Sequence, residues 1–261
     1  MLHLPVLPLL LSPFIGSFLG VLAARLPRRL PVALARSACP RCGAVLRPRE
    51  LVPVVSYLVQ KGRCRSCGGA ISAGHPAMEV AALLVAGLVL LAAGPLRAGT
   101  PAPLLVVWSG CLFGWWLLVL AAIDLKSFRL PDTLTVPLIA AGLGLAALGG
   151  AAPVLWHALA AAAGYGVFRG ISLLYRRARG HDGLGGGDAK LLAAGGAWLG
   201  PESLPHVVFL GAVLTLCAVA IARRGDVNRT LMVPFGPGLA LAMWGIWLWQ
   251  ASLLRPDWLP A

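Results

Sequence analysis

Residues 103–132 read PLLVVWSGCLFGWWLLVLAAIDLKSFRLPD. The run 103–123 carries no charged residue, and Asp124 stands directly at its end. About 20 mainly apolar residues in an α-helix cross the hydrocarbon core of a bilayer, so this stretch reads as a membrane span that stops on a carboxylate. Similar runs cover 5–24, 77–94, 134–150, 152–175, 204–222 and 232–252, with a shorter one at 189–200. The expected fold is therefore an all-α integral membrane protein of about eight transmembrane helices. Composition agrees: 59% of the 261 residues are hydrophobic, 12% are charged, and the mean hydropathy is +0.83. Those values exclude a soluble or disordered chain. The 32 glycines have no three-residue period and no longer repeat recurs, which excludes collagen and repeat arrays. The first span has only His3 ahead of it and ArgLeuPro behind it, without a small-residue cleavage site, and is read as retained.

The basic residues give the orientation. With the long loop 25–76 in the cytoplasm, eight crossings put 124–133, 176–188 and 223–231 on the same side. Together with Lys190 these loops hold 19 of the 22 Lys and Arg. Positive charge collects on cytoplasmic loops, so both termini are expected outside. The net charge of +13 is then a record of topology and anionic headgroups, and no nucleic-acid partner is expected.

Loop 25–76 carries Cys39-Pro-Arg-Cys42 and Cys64-Arg-Ser-Cys67, each pair followed by glycine. Two thiolates three positions apart on a tight turn can share one ion, and four fill a tetrahedral zinc site with no position left for water. The expected metal ligands are Cys39, Cys42, Cys64 and Cys67 around a structural zinc; a reducing cytoplasm disfavours disulfides. Arg41, Arg47, Arg49, Lys61, Arg63 and Arg65 beside them suit a surface facing lipid headgroups. Cys111 and Cys217 lie within apolar spans and read as small buried hydrophobes.

Acidic residues are few. Asp132 follows a proline and is explained by helix capping. Glu79 opens a span, where capping also serves. Asp188 follows Gly185-Gly186-Gly187 and either caps the helix behind it or has a chemical role. Asp124 is different, because a helix C-terminus disfavours negative charge. Two spans separate Asp124 from Asp188, which returns both to one membrane face, and a carboxylate pair sharing a proton performs aspartic-protease chemistry. Helix ends predict the charge on Asp188, with Lys190 nearby, and the proton on Asp124. His75 and His181 read as surface or loop histidines, and Trp156, Trp247 and Trp249 as interface or packing residues.

These residues resemble a known family. Gly185-Gly186-Gly187-Asp188 with the AlaLysLeuLeu that follows is similar to the GxGD signature of type 4 prepilin peptidases. Ile123-Asp124 with LeuProAsp132xLeuThr resembles the first aspartate motif, and Gly16SerPheLeuGly with Arg25LeuPro27 the opening segment. The cysteine module with Pro76xMetGlu79 and the segment Pro234PheGlyPro237 resemble further parts, in the family's order. The resemblance implies an inner-membrane aspartic endopeptidase, with Asp124 and Asp188 catalytic, that removes the basic leader of type IV prepilins or type II secretion pseudopilins on the cytoplasmic side. It also implies N-methylation of the new terminus from S-adenosylmethionine, an activity associated with the cysteine domain. The implied domains are a first helix, 1–24, a cytoplasmic zinc-binding domain, 25–76, and a membrane peptidase core, 77–261. The family usually carries Asn where Gly20 stands and ArgTyrPro where Gly74-His75-Pro76 stands, which weakens the methylation reading. The alternatives are a presenilin-like protease, which carries a TyrAsp pair rather than Ile123-Asp124, a transporter, and a non-enzymatic scaffold whose zinc module binds a secretion or pilus machine. Neither the substrate nor the number of assembling copies is legible.

Overall fold

The computed structural model describes residues 6–32, 36–93, 104–180, 185–223 and 233–253. Among these residues the chain is helical without a strand, apart from two isolated bridges near the cysteines. In order the α-helices are α1 Leu7–Arg25, α2 Val55–Val59, α3 Gly74–Ala92, α4 Leu104–Ser127, α5 Asp132–Ala146, α6 Ala151–Arg179, α7 Gly186–Leu199, α8 Leu204–Arg223 and α9 Gly236–Ser252. Six helical stretches are long and apolar enough to cross a membrane, and they match six of the eight runs in the sequence. The other two runs form α7, of 14 residues, and α9, of 17. The chain divides into two compact units, Met1–Val119 and Leu120–Ala261.

In the first unit α1 packs on α3. Lipid tails are as apolar as leucine, so helices in a bilayer gain little from burying apolar faces and associate where small residues let backbones approach. Gly16 provides the approach: a Cβ there would lie 2.6 Å from the Glu79 Cα. Trp115 donates its indole N–H to the Ala82 carbonyl oxygen at 3.0 Å.

In the second unit α7 lies among α5, α6, α8 and α9. Every residue from Asp188 to Leu199 is buried except Lys190. At 1.5 Å per residue α7 spans only about 21 Å, short of a hydrocarbon core about 30 Å thick. Protein rather than lipid surrounds it, and that is where irregular backbone at membrane depth is tolerated. Glycines on both sides of each contact make room. A Cβ on Gly196 would lie 2.5 Å from the Ala160 carbonyl carbon, one on Gly195 2.7 Å from the Met243 sulfur, and one on Gly142 2.8 Å from the Ala197 carbonyl oxygen.

Gly196→Val should therefore cost about 1–3 kcal/mol or more through overpacking against backbone, read as a lower unfolding temperature in detergent. Gly144→Ala, with nothing within 4 Å of the added carbon, should leave that temperature unchanged or slightly raised.

Candidate active site and metal centre

Asp124 sits in the last turn of α4, 5% exposed. Its Oδ2 accepts a hydrogen bond from the Gly236 N–H at 3.0 Å, and Gly236 is the first residue of α9. The carboxylate thus meets the positive end of a second helix dipole, which offsets the negative end of its own helix. Only glycine fits at this approach, because a Cβ on residue 236 would lie 2.7 Å from that oxygen. Phe235 stacks in tilted fashion on Phe168 of α6, with ring centroids 6.1 Å apart, and fixes the strand of chain that delivers the N–H. Gly236 was quoted in the sequence only as part of Pro234PheGlyPro237; its contact with Asp124 spans 112 positions and left no local signal.

Asp188 occupies the first turn of α7, just ahead of the 189–200 run, and is 9% exposed. Its carboxyl group accepts the N–H of Gly185, the N-cap residue of α7. Burial first, and then the Asp124 carboxylate, push its carboxyl up to about 7, against the pull of the Gly185 N–H. The two aspartates are therefore close enough to act on each other. The glycines ahead of Asp188 have separate tasks. Gly187 lets α7 rest on Leu130, whose Cβ would be 2.9 Å from an added carbon; Gly185 faces the Asp188 carboxylate; Gly186 has nothing within 4 Å and leaves that side open. Asp132 begins α5 without a cap bond and instead forms an ion pair with Lys190 of α7. Lys190 is thereby occupied.

Each aspartate was judged by its own helix, but Asp124 is also served by the α9 N-terminus and Lys190 is taken by Asp132, so both carboxyl groups lie at the positive end of a helix.

The cysteine pairs form two turns of the same geometry. Cys39 N–H bonds to the Ala44 oxygen and Gly43 N–H to the Cys39 oxygen; Cys64 N–H bonds to the Gly69 oxygen and Gly68 N–H to the Cys64 oxygen. Gly43 and Gly68 take φ of +71° and +67°, a left-handed conformation that glycine adopts without strain. One ligand atom from each of the four cysteines lies within 4.8 Å of the others, and the Cys39 and Cys67 sulfurs are 3.9 Å apart. Zinc–sulfur bonds of about 2.3 Å put tetrahedral ligands about 3.8 Å apart, so the set fits a closed four-coordinate site for a thiophilic cation. The N–H groups of Cys42 and Arg41 pull the Cys39 thiol down to about 6. At Cys42 the Ala44 N–H pulls the same way, but desolvation and the other three thiols push it up to about 11. Four such groups cannot all ionise together without a cation among them.

Two sequence profiles match the chain: one described as the bacterial peptidase A24 N-terminal domain over residues 10–93, and one described as the type IV leader peptidase family over residues 111–220. Proteins named prepilin leader peptidase/N-methyltransferase are similar over most of its length. The one from Aeromonas salmonicida is 36% identical, covering 94% of this chain and 91% of that protein. The chain belongs to the type IV leader peptidase family. The relative from Pseudomonas aeruginosa is 34% identical, covering 95% of this chain and 91% of that protein, and the one from Burkholderia pseudomallei is 42% identical over 82% and 67%. No solved structure matches.

For a leader peptidase, two further positions stand differently from the sequence reading. Glu79 lies past the first turn of α3, 6% exposed, and its carboxylate accepts the Val54 N–H at 2.6 Å rather than capping α3. Val54 has φ +61°, a strained conformation for a β-branched residue, held by that bond. Cys217 is exposed on α8 rather than buried, while Cys111 is buried as expected. His75 is exposed, and His181 lies outside the described residues.

Glu79→Ala should release the 54–59 segment. Limited trypsin digestion at Lys61 or Arg63 should become several-fold faster while helical circular dichroism stays unchanged; equal digestion rates would remove the clamp from this account.

Proposed function

We propose that this chain is a multi-pass membrane aspartic endopeptidase that removes the leader from type IV prepilins or type II secretion pseudopilins, and that it N-methylates the new terminus. The names of its relatives support the reaction, and one observation carries the chemistry: two buried carboxyl groups, Asp124 and Asp188, interact at the ends of α4 and α7, with the α9 N-terminus on one of them.

In this reading Asp124, as carboxylate, takes a proton from water while the resulting hydroxide attacks the scissile carbonyl carbon. Asp188 gives its proton to the carbonyl oxygen. When the tetrahedral intermediate collapses, the proton on Asp124 passes to the departing nitrogen, the C–N bond breaks, and Asp188 recovers its own proton. The open side of Gly186 gives an extended peptide room to approach. The basic leader then meets acids, while the apolar stem of the substrate stays in lipid.

The reading puts the cysteine module and both aspartates in the cytoplasm and the termini outside, following the basic loops. Zinc in the four-cysteine site holds the module's two turns together; bound there it supplies structure rather than a Lewis-acid position. Val55, Leu58 and Val59 are exposed beside Lys61, Arg63 and Arg65, which suits a module resting on anionic lipid. In this reading S-adenosylmethionine supplies the methyl group for the second reaction. No residues are assigned to it, and Gly20 removes a polar side chain the family usually has near the module.

Incubation of the purified protein with a prepilin should yield a product lighter by the leader, and heavier by one methyl when S-adenosylmethionine is added. Asp124→Asn or Asp188→Asn should abolish cleavage; if both variants still mature the pilin, the chain is a scaffold. Because Asp188 acts in its protonated form, cleavage by the wild type should fall as pH rises through about 7. The two carboxyls titrate jointly, so the profile reports the pair. Metal analysis should find one zinc per chain, and Cys64→Ser should lose it and lower the unfolding temperature.

A further inference from the structure

Asp124 and Asp188 stand on separate helices, and the chemistry proposed for them works only while their separation holds. The chain between α4 and α5 bears on that separation. Four residues after Asp124, Phe128 takes φ +53° and its N–H bonds to the Asp124 carbonyl oxygen at 2.9 Å. Beside it the Ser127 hydroxyl donates to the Ile123 oxygen at 2.9 Å. An aromatic residue resists the left-handed conformation, which persists where surrounding contacts impose it. The contacts that follow are made with α7. Gly187 rests on buried Leu130 with no room for a Cβ, and Asp132 pairs with Lys190. Gly187 and Lys190 bracket Asp188 in the chain.

α5 and α7 run side by side in the same direction. Asp132 meets Lys190 near their starts, and further along the Leu138 oxygen accepts the Trp198 N–H while Gly142 lies against Ala197. The far contacts are buried and fix α7 along its length. The near contact is of another kind. The Asp132 side chain is 63% exposed and that of Lys190 33%, and an ion pair so open adds little to stability. Asp132 begins α5 without a side-chain cap, so neither folding energy nor capping accounts for the pair. What it does join is the segment that continues from Asp124 to the turn that carries Asp188.

We propose that Asp132 and Lys190 are positioning residues: their ion pair, together with the Leu130–Gly187 contact, braces the first turn of α7 against the α4–α5 turn and so fixes the spacing of the two catalytic carboxyl groups. The inference rests on the reading of Asp124 and Asp188 as that pair. A reacting group displaced by about 1 Å loses about a hundredfold in rate, so a brace that scarcely affects stability still governs turnover.

The test measures kcat, KM and the unfolding temperature of the full-length protein in detergent, with a prepilin as substrate. Lys190→Met and Asp132→Asn are each expected to lower kcat about tenfold or more, with KM and the unfolding temperature close to those of the wild type. Lys190→Arg, which keeps a cation within reach of Asp132, should recover most of the lost rate. The double variant Asp132→Asn with Lys190→Met should be no slower than the slower single variant, because one shared interaction is lost once. Wild-type kcat in both single variants, or losses that multiply in the double variant, would overturn the brace. So would a fall in unfolding temperature that tracks the lost rate, which makes the pair a structural contact, or a rise in KM at unchanged kcat, which makes Asp132 a contact for the basic leader. Asp124→Asn and Asp188→Asn are measured beside them. If those two are inactive while Lys190→Met is as fast as the wild type, the brace alone fails; if those two still cleave, the peptidase reading itself fails.

Discussion

The second unit depends on a helix that has given up its side-chain volume. In water a core is assembled by burying large apolar groups, but in lipid that drive is absent and contact distance decides. From Ala193 to Ala197 α7 carries nothing larger than a methyl group, so the backbones of α5 and α6 come into direct contact with it. At its C-terminal end, carbonyl oxygens that no later turn can satisfy accept from side chains instead: Ala197 from His157, and Leu199 from Ser203 and Gln250. Trp198 reaches out to the Leu138 carbonyl oxygen of α5 at 2.8 Å. A helix gripped this way along its length has little freedom to slide, and Asp188 inherits that rigidity at the other end.

The acid pair is then a matter of which carboxyl group has compensation. Desolvation works against both charges, and each carboxyl group has a helix N-terminus beside it, α9 for Asp124 and α7 for Asp188. The α9 N-terminus is aimed at Asp124, through an N–H that only a glycine can bring so close. Asp188 takes the Gly185 N–H and lies within the field of Asp124. One charge and one proton shared by the pair is the arrangement that proteolysis by two carboxyl groups requires.

Much of this was legible in the sequence for definite reasons. Apolar runs of about 20 residues have few alternatives to crossing a bilayer, and paired CxxC turns constrain their own geometry through two glycines with positive φ. The even number of crossings between Asp124 and Asp188 returned them to one face without any knowledge of packing. The illegible parts were contacts across long separations. Nothing near Glu79 announces Val54, and nothing near Asp124 announces Gly236. Capping, the local explanation available for Asp132 and Glu79, failed at both because a partner from another element offered a better bond: Lys190 in one case, the Val54 N–H in the other.

The same distinction bears on Gly20 and His75, two of the three departures from the family pattern, Gly74 being the third. In the sequence they stand 55 positions apart and each weakens the methylation reading separately. In the folded first unit they are neighbours: a Cβ on Gly20 would lie 3.6 Å from the His75 Nδ1 and 3.8 Å from the Met78 Cβ. A side chain as large as asparagine at position 20 would compete with the imidazole for that space. The two departures therefore fall at one place, where α1 gives up a polar side chain and an imidazole on α3 stands where the family usually has a tyrosine ring.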